Sequence, residues 1–78
     1  MKLTELPLHA NAVVTDVADL DADDRVSRRL RELGFVTGEP VRLVARGPFG
    51  AEPLLVQIGF TRFALRRAEA ARVSVRKA

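Results

Sequence analysis

Leu30-Arg31-Glu32-Leu33-Gly34-Phe35-Val36-Thr37-Gly38-Glu39-Pro40-Val41 is where a charged helix ends and a strand begins. Gly34 stands where a helix favours a left-handed residue just past its last turn. Phe35 follows at the position that folds back onto Leu30 in a Schellman closure. Gly38 and Pro40 mark a second turn, and Val41 opens an apolar alternation. The stretch therefore fixes a helix followed directly by β-structure.

Upstream, residues 21–33 read as the helix. Val26, Leu30 and Leu33 fall at i, i+4 and i+7 and form one apolar stripe. Asp21 is the expected N-cap, with Asp23 and Asp24 in the first turn where negative charge offsets the macrodipole. Arg25, Arg28 and Arg31 lie on the far side, and Asp24 with Arg28 has the favourable acid-first i, i+4 spacing. Residues 12–17, rich in valine, read as a first strand. Asn11 before it is the residue expected to take a left-handed turn.

Downstream, residues 41–46 and 54–58 read as an antiparallel hairpin, joined by Gly47-Pro48-Phe49-Gly50-Ala51-Glu52-Pro53. A symmetric register pairs Arg42 with Gln57 and Val44 with Leu55, and turns Val41, Leu43, Val56 and Ile58 inward. Residues 59–62 make a turn, 63–66 a short strand, 67–71 a single helical turn and 72–76 a last strand with Val73 and Val75 inward. The fold class expected is mainly β: a small five-stranded barrel, with one α-helix after the first strand and one short helical turn before the last. Closing five short strands into a partly open barrel buries one face and limits exposed edges.

All 78 residues fit one domain. No apolar run approaches the roughly 20 residues that cross a bilayer. Residues 1–7 carry Lys2 but no apolar stretch, so no signal peptide is expected and the cytoplasm is the default location. The chain has no cysteine, so there is neither a disulfide framework nor a thiolate metal site. Its net charge of +3 raises nucleic acid or acidic partners, but acids are mixed among the bases.

Chemistry is scarce. His9 is the one histidine and has no second ligand type beside it. The acidic run of residues 19–24 lacks a calcium-loop pattern and serves helix capping. The glycines make no phosphate loop, and neither serine has a histidine partner. No catalytic residue, metal ligand set or cofactor is expected, and the chain reads as a binding protein. With no Trp or Tyr, and with only Phe49 and Phe60 in turns, a base-stacking platform is weak, so no nucleic acid is expected. A protein partner remains. Val44 and Leu55 on the outer hairpin face, with Phe49 and Phe60 in the turns, are the expected contacts, flanked by Arg28, Arg31, Arg42 and Arg66. Self-association through the same patch or an exposed edge is the other use of such a surface.

Taken in order, Leu30-x-x-Leu33-Gly34-Phe35-x-x-Gly38, the loop of residues 47–53, Phe63-Ala64-Leu65-Arg66-Arg67-x-Glu69-Ala70 and Val73-x-Val75 resemble the FeoA family. The resemblance spans residues 3–75 and is densest from Leu30 onward. It implies an SH3-like barrel in the bacterial cytoplasm that accompanies the inner-membrane ferrous iron transporter, a protein with a cytoplasmic GTP-binding domain. That cytoplasmic part is the implied partner, and the membrane is reached only through it. The resemblance places the chain in iron homeostasis, and so near transition metal ions, although the sequence itself supplies no ligand set. Related barrels form the C-terminal domain of iron-dependent repressors, so a regulatory or nucleic-acid-binding barrel is the alternative. Arg66 and Arg67 are expected in structural or surface roles, ahead of an arginine finger that would stabilise phosphoryl-transfer charge. Two positions depart from the family: Glu52-Pro53 stands where Asp-Pro is common, and Asn11 where Gly is common.

Overall fold

The computed structural model describes residues 1–50 and 52–78; Ala51, in the expected hairpin loop, lies outside the described residues. Five strands form one antiparallel sheet: β1 (Ala12–Val17), β2 (Pro40–Phe49), β3 (Glu52–Ile58), β4 (Thr61–Leu65) and β5 (Val73–Lys77). Helix α1 (Arg25–Glu32) follows β1, and one-turn helix α2 (Arg67–Ala70) precedes β5. The order across the sheet is β4-β3-β2-β1-β5. No helix among the described residues is long and apolar enough to cross a membrane.

The inward set follows from the period-2 pattern in β2, β3 and β5, while a bulge in β1 sets its inward valines three residues apart. Val14 and Val17 of β1, Val41 and Leu43 of β2, Leu54, Val56 and Ile58 of β3, and Val73 and Val75 of β5 are all buried. They enclose a core capped by Leu30 and Phe35. Phe35 meets the half-buried Phe63 at a ring separation of 6.3 Å and an interplanar angle of 51°, within the tilted geometries aromatic pairs favour.

Helix α1 closes as its sequence implies. Gly34 adopts φ +114°. Its N–H donates to the Arg31 carbonyl, and the Phe35 N–H to that of Leu30, both at 3.0 Å. These are the two bonds of a Schellman closure, and they deliver Phe35 into the core.

The helix start differs from expectation. Asp24, not Asp21, is the N-cap, and its Oδ1 accepts from the Val26 and Ser27 N–H groups at 3.0 and 3.2 Å. Asp21 instead accepts from the Asp23 N–H in a tight turn. Because Asp24 points inward, Arg28 pairs with Asp23 at 2.6 Å and not with Asp24. Asp24 pairs with Arg72, beyond α2. The left-handed residue of the N-terminal loop is His9 (φ +68°), not Asn11. The Ala10 N–H donates to the Pro7 carbonyl at 3.2 Å and closes this turn, and the His9 N–H donates to the Leu43 carbonyl at 2.8 Å and anchors it to β2.

The hairpin is longer than expected and bulged. Arg42 pairs with Gln57 as the symmetric register requires, but Ala45, not Val44, stands opposite Leu55. Val44 is the extra residue of a β-bulge, which bends the strand and helps the sheet to coil.

The two edges of the sheet are treated differently. Along β5, Met1 and Val75 exchange backbone hydrogen bonds, and Lys2 bridges to Ser74. The other edge, β4, pairs with β3 on one side only among the described residues.

Candidate functional site

The expected contact residues do not form one patch. Phe49 and Phe60 are both exposed, at 81% and 105%. They sit at opposite ends of the seven-residue β3, roughly 20 Å apart at about 3.3 Å per residue. Leu55 is half-buried and lies between Ala45 and Ala64 on the neighbouring strands. Val44 is half-buried in the bulge. Arg28 is held by Asp23, and Arg31 donates to both Asp19 oxygens at 3.0 Å and to the Val17 carbonyl at 2.8 Å. The Arg31 guanidinium in turn holds the Asp19 carboxyl below its ordinary range. These two arginines fasten the acidic loop to α1. Arg42 lies beside Gln57 near the Phe60 end, and its Nε is buried without a partner among the described residues.

A concavity of a different kind lies elsewhere. A groove of about 550 Å³ runs between α1 on one side and β4 with α2 on the other. Val26, Leu30 and Leu33 supply its α1 wall; Pro53, Phe63 and Leu65 continue the apolar lining. Of the expected contacts only Arg66 lines it, facing across from Arg29. Among the described residues neither arginine has an ion-pair partner. Glu69, also on the groove, accepts from the Arg66 backbone N–H at 2.8 Å and caps α2. At the Pro53 end, Glu52 accepts from the Arg67 N–H at 2.6 Å and ties the hairpin to α2.

This arrangement has a local cause. The stripe Val26–Leu30–Leu33 is wider than the sheet covers, so Leu30 is buried while Val26 and Leu33 stay partly exposed. The sequence reading identified the stripe but not the groove it lines. The available signal was Arg29, four residues before Leu33 and flanking the apolar line.

Chemically, the groove offers an apolar floor and, among the described residues, two cations without an ion-pair partner and one strand edge paired on one side only. Among the described residues no three of His, Cys, Asp or Glu converge as a metal site, and His9 is exposed on its loop. The residue with the most displaced pKa, Asp24, belongs to the helix cap. Its carboxyl is held well below the ordinary carboxylate range first by the Leu20 N–H and then by the Arg72 guanidinium.

The FeoA domain profile matches residues 1–77. The FeoA of Stenotrophomonas maltophilia, solved with zinc and described as a prokaryotic SH3 domain protein and candidate activating factor of ferrous iron transport, is 68% identical. It superposes with a TM-score of 0.89, over 97% of this chain and 89% of that one. The FeoA protein of Chlorobium tepidum is 35% identical with a TM-score of 0.84, over 99% of this chain and 70% of its own. A manganese-dependent transcriptional repressor shares the fold at 22% identity and a TM-score of 0.83, with this chain spanning 41% of its length. No significant match was found among curated proteins. The five-stranded architecture, the profile match over nearly the whole chain and the two close FeoA structures together establish that this chain belongs to the FeoA family, SH3-like proteins associated with ferrous iron transport.

Proposed function

We propose that this chain is a cytoplasmic, non-enzymatic accessory of bacterial ferrous iron uptake. It acts by docking on the cytoplasmic, GTP-binding part of the inner-membrane Fe(II) transporter. The observation that carries the reading is the groove between α1 and β4, in which Arg29 and Arg66 face an apolar floor without ion-pair partners among the described residues. A segment bearing apolar side chains flanked by Asp or Glu is the complementary ligand. An extended segment could also add to the free edge of β4.

The contact region extends beyond the groove in two directions. Ala64 lines it and pairs with Leu55 on the outer face. Phe49 pairs with Glu52 at the hairpin tip, next to Pro53. Leu55 and Phe49 thus border the groove, with Val44 in the adjoining bulge, and Phe60 and Arg42 do not.

Calorimetric titration of the purified chain with the transporter's cytoplasmic domain, loaded with GDP or a GTP analogue, tests this. Binding is expected in at least one nucleotide state, weakened tenfold or more by the exposed charge reversals Arg29→Glu and Arg66→Glu together. No binding in either state refutes the docking. Unchanged binding by the double variant moves it off the groove.

A further inference from the structure

The opposite end of β4 carries a second surface that the docking groove does not use. Ile58 pairs with Thr61, so Gly59 and Phe60 alone form the turn between β3 and β4. Gly59, at φ +59°, takes the first central position, where a type II′ turn needs glycine. The second position makes no such demand, and turns favour polar residues. Phe60 occupies it at 105% exposure. Nothing in the fold requires an aromatic ring there.

The surface behind Phe60 is basic. Arg42, Gln57 and Arg62 stand in register across β2, β3 and β4, and the Arg62 Nε donates to Gln57 Oε1 at 3.2 Å. Their neighbours Val41, Leu43, Val56 and Ile58 point into the core, so this row faces out. Arg76 of β5 pairs with Val13 on the same outer side. A depression of about 200 Å³, lined by Val13, Pro40, Arg42 and Gly59 among others, lies within this array. The Arg42 Nε is buried there with no partner among the described residues. Glu39 is the one acidic side chain adjoining Pro40 in the sequence, and it is exposed.

We propose that this end of the barrel rests on an anionic bilayer, with Phe60 entering the interfacial region and Arg42, Arg62 and Arg76 meeting lipid phosphates. A projecting apolar ring with cations set behind it follows the depth order of a bilayer surface, apolar below and charged at the headgroups. Single-stranded nucleic acid is the less suited polyanion, since stacking successive bases needs several rings along a groove and only one is present at this end. The geometry also leaves the docking groove accessible. β4 leads away from Phe60 toward the groove, whose nearest lining residue on this strand, Phe63, is three residues on, about 10 Å at 3.3 Å per residue.

The test uses the purified full chain alone, so it does not depend on the transporter. Co-sedimentation is measured with phosphatidylglycerol–phosphatidylcholine vesicles and with phosphatidylcholine vesicles. Binding is expected only to the first, and is lost on adding salt. Phe60→Ser should lower the partition coefficient about tenfold, the low end for burying a phenyl ring. Arg62→Gln should lower it about fivefold, the usual effect of one cation near such a surface. The chain has no tryptophan, so Phe60→Trp reports directly, and its emission should shift to the blue with anionic vesicles. No binding at low salt overturns the proposal, as does an unshifted Phe60→Trp spectrum or a Phe60→Ser partition equal to wild type. Tighter binding to short single-stranded oligonucleotides than to vesicles, lost in Arg42→Gln and Arg62→Gln, assigns the surface to nucleic acid instead.

Discussion

Replacing Gly34 by alanine separates two reasons for a glycine. A Cβ at this position would meet Ile58 Cγ1 at 3.8 Å, an ordinary contact, so space is available. The backbone at φ +114° is what an L-residue resists. Strain of this kind costs about 1–3 kcal/mol. Alanine also lowers the entropy of the unfolded chain, which returns about 0.4–1 kcal/mol. The expected net loss is about 1–2 kcal/mol. In a domain this small that lowers the thermal midpoint by roughly 5–15 °C. With a urea slope of about 1 kcal/mol/M, the denaturation midpoint falls by about 1–2 M. The assay is urea titration of both proteins by circular dichroism, with the slope unchanged. D-alanine at position 34, introduced by chemical synthesis, accepts positive φ and should recover most of the loss. An unchanged midpoint for Gly34→Ala refutes the account. Equal destabilisation by both enantiomers would remove the left-handed backbone as the cause.

Three further outcomes are expected. Phe35→Ala removes a fully buried ring at a cost of about 3–5 kcal/mol, comparable to the whole stability of a domain this size; its circular dichroism at 25 °C should be that of an unfolded chain, and a cooperative melt near the wild-type midpoint would contradict this. The Asp24 carboxyl binds its proton more weakly in the folded state than its ordinary value of 3.8, so its stabilisation is complete above about pH 5 and declines as pH falls below the ordinary value. Thermal midpoints between pH 7 and 2 should fall less steeply below pH 4 in Asp24→Asn, and parallel curves would remove Asp24 as a cause. Ser27 is fully buried and its Oγ donates to the Ala18 carbonyl at 2.6 Å; Ser27→Ala should cost about 1 kcal/mol in urea titrations, and no loss would mean that the bond contributes nothing net.

Features governed by local chemistry were readable in the chain. The Leu30–Gly34–Phe35 closure rests on glycine conformation and a six-residue span, and the inward valines of β5 on strict alternation. Features decided by distant residues were not. Four aspartates between positions 19 and 24 are similar caps by propensity; Arg72, 48 residues away, selects Asp24. The bulge at Val44 depends on how the whole sheet coils, and it shifted the register from Leu55 onward. The candidate surface suffered most, because adjacency there is set by topology. Phe49 and Phe60 resemble one another as exposed turn aromatics in sequence, yet β3 holds them at opposite ends. The groove needed Val26, Leu33, Phe63 and Arg66 from three elements to come together.

The unequal edges of the sheet limit how copies of this chain can assemble. Met1 and Lys2 cover β5 at Ser74 and Val75, and among the described residues β4 is the edge left to accept a strand. A molecule with one acceptor edge cannot propagate head to tail, since growth needs a second edge to pass on. If two copies join β4 to β4 by a two-fold axis, both outer edges are already sealed and the assembly terminates as a pair. A partner strand on β4 and such pairing would be mutually exclusive, because both need the same edge.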